Sequence, residues 1–154
     1  MVGFAGKGVF LKELESYIEE NKDTISISEA KDRNSLVFAF VGDAVFSLFV
    51  RTYLATKNTA KAGKLHTTAV QFVRASYQSM LIDELLPGLT ETEHQVVMSA
   101  RNAKTNNVAK NSNLVEYKKS TSFEALLGYL YLTNQKERLF EILEYCKTKM
   151  GENV

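Results

Sequence analysis

The alternation of apolar and polar positions predicts helices along almost the whole chain. Val9 to Asn21 is amphipathic, with Phe10, Leu14, Tyr17 and Ile18 on one face and Lys12, Glu13, Glu15, Glu19 and Glu20 elsewhere. The run KDTISISEAKDRN is polar and turn-like, and its TISIS is the one short β-like alternation. Asn34 or Ser35 suits the N-cap of a long helix reaching about Thr56. KNTAKAG breaks the pattern, and a second long helix is expected from Leu65 to Leu86, ended by Pro87-Gly88. Thr90 and Glu93 have capping-box spacing and open a helix of about 12 residues. Asn102 to Lys119 reads as irregular, polar and asparagine-rich. Thr121 or Ser122 then starts the FEALLGYLYL helix, and Lys136 to Lys149 is a final amphipathic one. No repeat or linker divides the chain, so one compact all-α domain is expected.

Two of these helices carry a lone acid in an apolar setting: Asp43 in AFVGDAVFSLFV and Glu124 in SFEALLGYLYL. Taking a carboxylate out of water costs several kcal/mol unless something pairs with it. On the first helix Ser35, Ala39, Gly42, Asp43, Ser47 and Arg51 recur in steps of three and four, a lane of small and polar side chains on an otherwise apolar cylinder. Such a lane suits close approach of another helix, or a cleft that Asp43 faces. Gly128, one turn after Glu124, leaves room beside that carboxylate. Packed through these faces, Asp43 and Glu124 would meet, and two confined carboxylates must share a proton or bind a cation. Hard oxygen ligands with retained water suit magnesium. Structural alternatives stand beside this reading. Thr121 and Glu124 have capping-box spacing, and Asp43 could be satisfied by Arg51 or Arg74. His66 and His94 read as surface or helix-end residues.

Composition narrows the chemistry. The 154 residues are 45% hydrophobic, enough for a real core, with one proline and 8 glycines, too few for long structureless loops. Cys146 is the sole cysteine and there are two histidines, which excludes an internal disulfide and leaves too few ligands for a thiolate or imidazole zinc cluster within one chain. The N-terminal residues do not read as a signal peptide. The longest apolar run, Leu36 to Val50, is interrupted by Gly42, Asp43 and Ser47 and is shorter than a span of roughly 20 residues. A soluble cytoplasmic protein with no membrane partner is the expectation. Net charge is only +1, but Arg101, Lys104, Lys110, Lys118 and Lys119 face a single acid, Glu116, between Arg101 and Ser120. This basic stretch leads into the Glu124 helix and favours an anionic phosphate substrate. No Gly-rich phosphate loop and no Ser/His/Asp constellation suggests another chemistry.

VGDAVF followed by FEALLGYLYL resembles the paired motifs of the ribonuclease III endonuclease domain. More narrowly, it is similar to Mini-ribonuclease III, the short form without a double-stranded-RNA-binding domain. The match runs from about Ser35 to Cys146 and includes LHTTAVQFVRASYQSML, RNAK and YKKSTSFEALLGYLYL in order. The full-length family has a glutamate four residues before the aspartate and an aspartate three before the glutamate. Here those positions are Ala39 and Thr121, as in the Mini form. Two of the four usual metal-site carboxylates are therefore absent, which leaves the number of metal ions open.

The resemblance implies a ribonuclease III-type helical bundle at residues 35–150 behind a helical extension at 1–34, acting as a two-fold homodimer. It implies hydrolysis of double-stranded RNA to 5′-phosphate and 3′-hydroxyl ends, in this subgroup at the stem formed by the ends of precursor large-subunit ribosomal RNA. A ribosomal protein could shape that substrate. Asp43 and Glu124 would be the catalytic and metal-holding residues for Mg2+, with Mn2+ able to substitute. Arg101, Lys104, Lys110, Lys118 and Lys119 are the candidates for RNA backbone contacts. Two other readings stay open: a non-catalytic RNA-binding or ribosome-assembly module on the same fold, and a helical interaction protein whose two acids are structural.

Overall fold

A computed structural model describes residues 23–104 and 113–152. The expected helix from Val9 to Asn21 lies outside the described residues. Seven α-helices are described: α1 (Ile27–Ala30), α2 (Ser35–Lys57), α3 (Ala62–Val73), α4 (Ala75–Leu85), α5 (Glu91–Asn102), α6 (Leu114–Leu132) and α7 (Lys136–Gly151), with a 3-10 turn at Leu86–Gly88. The all-α expectation holds.

Local chemistry explains most boundaries. Part of the turn-like KDTISISEAKDRN run is the single turn α1, closed by a capping box between Ser26 and Glu29. Just before it, the Ile25 amide donates to the Leu132 carbonyl at 2.9 Å and ties this segment to the end of α6. Asn34 caps α2 by accepting from the Leu36 amide at 2.9 Å. Thr90 and Glu93 form the capping box expected of them, and α5 is 12 residues long.

Two boundaries differ from the sequence reading. The helix expected from Leu65 to Leu86 is two helices, because Arg74 is extended at φ −70°, ψ 153°. Residues five apart on a continuous helix point about 140° away from one another. The bend at Arg74 instead lets Phe72 and Tyr77 meet edge to face, with centroids 5.1 Å apart. Nor does the FEALLGYLYL helix begin at Thr121 or Ser122. It begins at Leu114, where the Asn113 side chain accepts from the Val115 and Glu116 amides. The stretch expected to be irregular thus ends at Asn113 rather than Lys119, and 105–112 lie outside the described residues.

Helix α6 is the axis of the bundle. Ser120, Ser122, Phe123 and every residue from Ala125 to Leu130 are buried on it, and α2, α4 and α5 pack around it. Phe46 of α2 meets Phe123 of α6 edge to face at 4.9 Å, and Phe38 meets Tyr129 at 5.8 Å. From α7, Leu139, Ile142, Leu143 and Met150 join the core. Cys146 joins them too, its thiol pushed up to about 12 by burial, so it serves packing rather than chemistry.

Helix α2, whose apolar composition predicts burial on most sides, is instead buried on one. One face, Ser35, Phe38, Ala39, Gly42, Phe46 and Val50, is buried. On the opposite face Val37 is 48% exposed, Phe40 81% and Leu48 69%. Among the described residues, α2 alone is long and apolar enough to cross a membrane by length and composition, but a third of that window is buried within the bundle itself.

Candidate active site

The small residues of α2 and α6 bring the two lone acids together. A Cβ on Gly42 would sit on the Glu124 carbonyl, 2.8 Å from the Gly128 amide nitrogen. A Cβ on Gly128 would sit on the Phe38 carbonyl, 2.9 Å from the Gly42 nitrogen. The helices therefore cross in reciprocal backbone contact, closer than the 8–10 Å axis separation that ordinary side chains enforce. Gly128 thus leaves no room beside a carboxylate; the α2 backbone fills that space. Asp43 follows Gly42 directly, so the crossing sets it beside Glu124.

The two acids sit in unequal surroundings. Asp43 is exposed, which corrects the expectation that it is buried. It lies on the flank of α2, between the face packed on α6 and the exposed apolar face. Among the described residues neither Arg51 nor Arg74 pairs with it; Arg51 donates instead to the Ser47 carbonyl at 3.3 Å. Glu124 is partly buried. Burial is the main cause of a pKa raised to about 8, the Asp43 charge adds to the rise, and the Gln78 carboxamide offsets part of it. The capping alternative for Glu124 fails, because Thr121 is mid-helix and its hydroxyl donates to the Tyr117 carbonyl at 3.0 Å.

Glu93 shows how this fold treats a structural acid. It is 2% exposed and fully partnered: Arg138 reaches it through Nε at 3.0 Å and Nη2 at 2.9 Å, and the Thr90 amide donates at 3.0 Å. Burial raises its pKa, but the Arg138 and Thr90 contacts together outweigh that and hold it below the usual carboxylate range. Among the described residues Glu124 has no basic partner of that kind. An acid held without one beside a second acid is a candidate functional carboxylate.

The raised Glu124 pKa has a measurable consequence. Between the ordinary value of 4.5 and about 8, the folded protein keeps a proton that the unfolded chain has lost. Stability from this group is therefore full below 4.5 and is lost as pH rises through about 8. Without metal, the melting temperature of the wild type should fall between about pH 5 and about 8.5 relative to Glu124→Gln. The difference should amount to ~3 kcal/mol after allowance for partial exposure. Parallel pH curves for the two proteins would mean that Glu124 carries no such penalty.

The fit to a divalent cation rests on the donors present. Two carboxylates of hard oxygen, one exposed and one held without a basic partner, are enough for an ion that keeps several waters. The positions of the two missing family acids cannot add to them: Ala39 is buried, and Thr121 is engaged within its own helix. No group of three or more His, Cys, Asp or Glu residues able to hold a metal occurs among the described residues.

Residues 36–135 match the Ribonuclease III domain. The chain belongs to the ribonuclease III family. It is 42% identical over 124 residues to Mini-ribonuclease 3 of Enterococcus faecalis, covering 79% of this chain and 94% of that protein. It is 44% identical over 117 residues to Mini-ribonuclease 3 of Clostridium tetani, covering 75% and 78%. A crystal structure of a Fusobacterium nucleatum protein superposes with a TM-score of 0.70 at 27% identity, covering 79% of this chain and 97% of that one. The fold is accordingly the all-α ribonuclease III bundle, and the chain is an endoribonuclease of that family.

The basic residues divide. Arg101 and Lys118 are partly exposed and Lys104 is exposed. Lys119 is held by Asp83 at 2.7 Å, and Lys110 lies outside the described residues. The sequence reading missed a second basic region. From Ala44 to Ile82 the chain has no acid, while Arg51, Lys57, Lys61, Lys64 and Arg74 fall within it, all five exposed. A count of acids, rather than of lysines alone, carries that signal. His66 and His94 are exposed, as expected. A cavity of about 300 Å³ beside α1, α2 and α5 is lined by neither Asp43 nor Glu124.

Proposed function

We propose that this ribonuclease III-family chain cuts double-stranded RNA with magnesium, leaving 5′-phosphate and 3′-hydroxyl ends. One observation carries the reading: in a chain of this family, Asp43 and Glu124 are set side by side by the Gly42–Gly128 crossing. The two carboxylates would hold Mg2+, or Mn2+ in its place. When bound, that ion supplies activation of water and stabilisation of charge on the phosphate. The chain's own part is geometric and electrostatic. Asp43 offers an ionised carboxylate at the surface where a phosphate can arrive, and Glu124 gives up its proton to take a share of the cation. Exposed Arg51, Lys57, Lys61, Lys64 and Arg74, with Arg101, Lys104 and Lys118, are placed to meet RNA phosphates. Recognition would follow A-form shape and 2′-hydroxyls rather than base edges.

The exposed stripe of Val37, Phe40 and Leu48 is the surface we assign to a second copy of the chain, giving a two-fold dimer with one centre per subunit. The substrate in the cell is the paired ends of precursor large-subunit ribosomal RNA, a reading supported by the family resemblance alone, and a ribosomal protein could shape that stem. The place of action is the cytoplasm.

The test is cleavage of a long duplex and of its matching single strand at low salt, with magnesium or with chelator. Duplex-only, magnesium-dependent cutting that declines steeply as salt rises is expected. Binding without cutting would instead favour a ribosome-assembly module, consistent with the missing acids at Ala39 and Thr121. Cutting that persists in chelator would sink the metal reading.

A further inference from the structure

Gln78 occupies a position that packing alone does not explain. It is 1% exposed on α4, among the buried residues Ser79, Leu81 and Ile82. Its side-chain Nε2 and Oε1 are both buried with no hydrogen-bond partner. A buried carboxamide without partners is a cost to the fold, and an apolar side chain of the same shape would avoid it. The group beside it is Glu124. In this conformation the carboxamide makes no hydrogen bond to the acid, yet it is near enough to act on it.

The chemistry of the pair is complementary. An ionised carboxylate only accepts hydrogen bonds, and a glutamine amide offers two donors. Helix α4 packs directly on α6, so the donor comes from a buried residue, whereas Asp43 is exposed. An amide hydrogen donated to one Glu124 oxygen would leave the other oxygen available to a cation.

We propose that Gln78 is a positioning residue, whose buried amide fixes the Glu124 carboxylate in the orientation that holds the cation with Asp43. The inference rests on the metal reading given above. Partners that orient a metal-holding side chain commonly change affinity by about tenfold to a hundredfold when removed.

The informative substitution is Gln78→Met, which keeps the volume and deletes both polar atoms. Three quantities should be measured on the full chain: melting temperature in chelator, Mn2+ affinity without RNA by electron paramagnetic resonance, and duplex affinity in chelator. The proposal expects a melting temperature equal to or above that of wild type, Mn2+ affinity about tenfold weaker, and unchanged duplex affinity. In a Glu124→Gln background the same substitution should have no further effect on Mn2+. Unchanged Mn2+ affinity in Gln78→Met would overturn the proposal while leaving the metal site standing. Absence of Mn2+ binding by the wild type would overturn both. Should Gln78→Met not fold, Gln78→Asn keeps the amide one methylene short. A loss of folded protein with both variants, or a Mn2+ loss that persists in the Glu124→Gln background, assigns Gln78 to the core instead.

Discussion

Asp43→Asn should keep the helical bundle and lose RNA cleavage by at least about a thousandfold, an effect of ~4 kcal/mol on the barrier. The two halves of that expectation have separate causes. Asp43 is exposed, and no described residue forms an ion pair or hydrogen bond with it. Replacing it by a side chain of the same shape should change stability by no more than about 0.5 kcal/mol. Asparagine, however, removes one of the two carboxylates that, among the described residues, would hold the proposed cation. A chain with four carboxylates could tolerate such a loss better than one with alanine and threonine at the other two positions. Single-turnover cleavage of a duplex, set beside a melting curve, measures both halves. Activity within tenfold of wild type would remove Asp43 from the chemistry. A collapse of the melting curve would make it a structural acid after all.

Gly42→Ala should be the most damaging small substitution in the described chain, at ~3 kcal/mol or more. The added methyl group meets the carbonyl of Glu124, which is backbone in the most buried helix and cannot rotate aside. Either the helices separate, opening the contacts of Phe38 and Phe46 on each side, or α6 moves with Glu124 on it. Gly128→Ala should behave alike, since the relation is reciprocal. Gly63→Ala is the control: nothing lies within 4 Å of its added Cβ, and helix propensity favours the change by up to about 1 kcal/mol. Denaturant melts of the three variants decide the matter. A Gly42→Ala protein as stable as Gly63→Ala would mean that the crossing is loose.

The sequence showed the helices better than it showed what each face of them meets. Asn34, Thr90 and Pro87-Gly88 are local signals, and the boundaries they mark follow from backbone hydrogen bonding nearby. The bend at Arg74 carries no such signal, because the contact that accompanies it joins Phe72 and Tyr77 on two different helices. Thr121 and Glu124 mimic a helix start, and only the true cap at Asn113 shows the resemblance to be accidental. Asp43 was read as buried because its neighbours are apolar. Apolar character is shared by a core face and by an exposed one, and α2 has both. The Glu93–Arg138 pair, 45 residues apart, belongs wholly to the tertiary structure. What the sequence did disclose was the glycines at positions 42 and 128, whose cost in a helix interior asks for a reason.

The acid-free run from Ala44 to Ile82 has one more implication. All 18 acids lie outside it, so a chain of net charge +1 is nearly neutral yet carries five exposed basic residues on the consecutive segments from α2 to α4 with no acid among them. A distant polyanion exerts little net pull on such a molecule but a definite torque. The protein should turn before it is drawn in, presenting its positive side first, so that salt would blunt the fraction of collisions that arrive well oriented as well as the strength of the grip that follows.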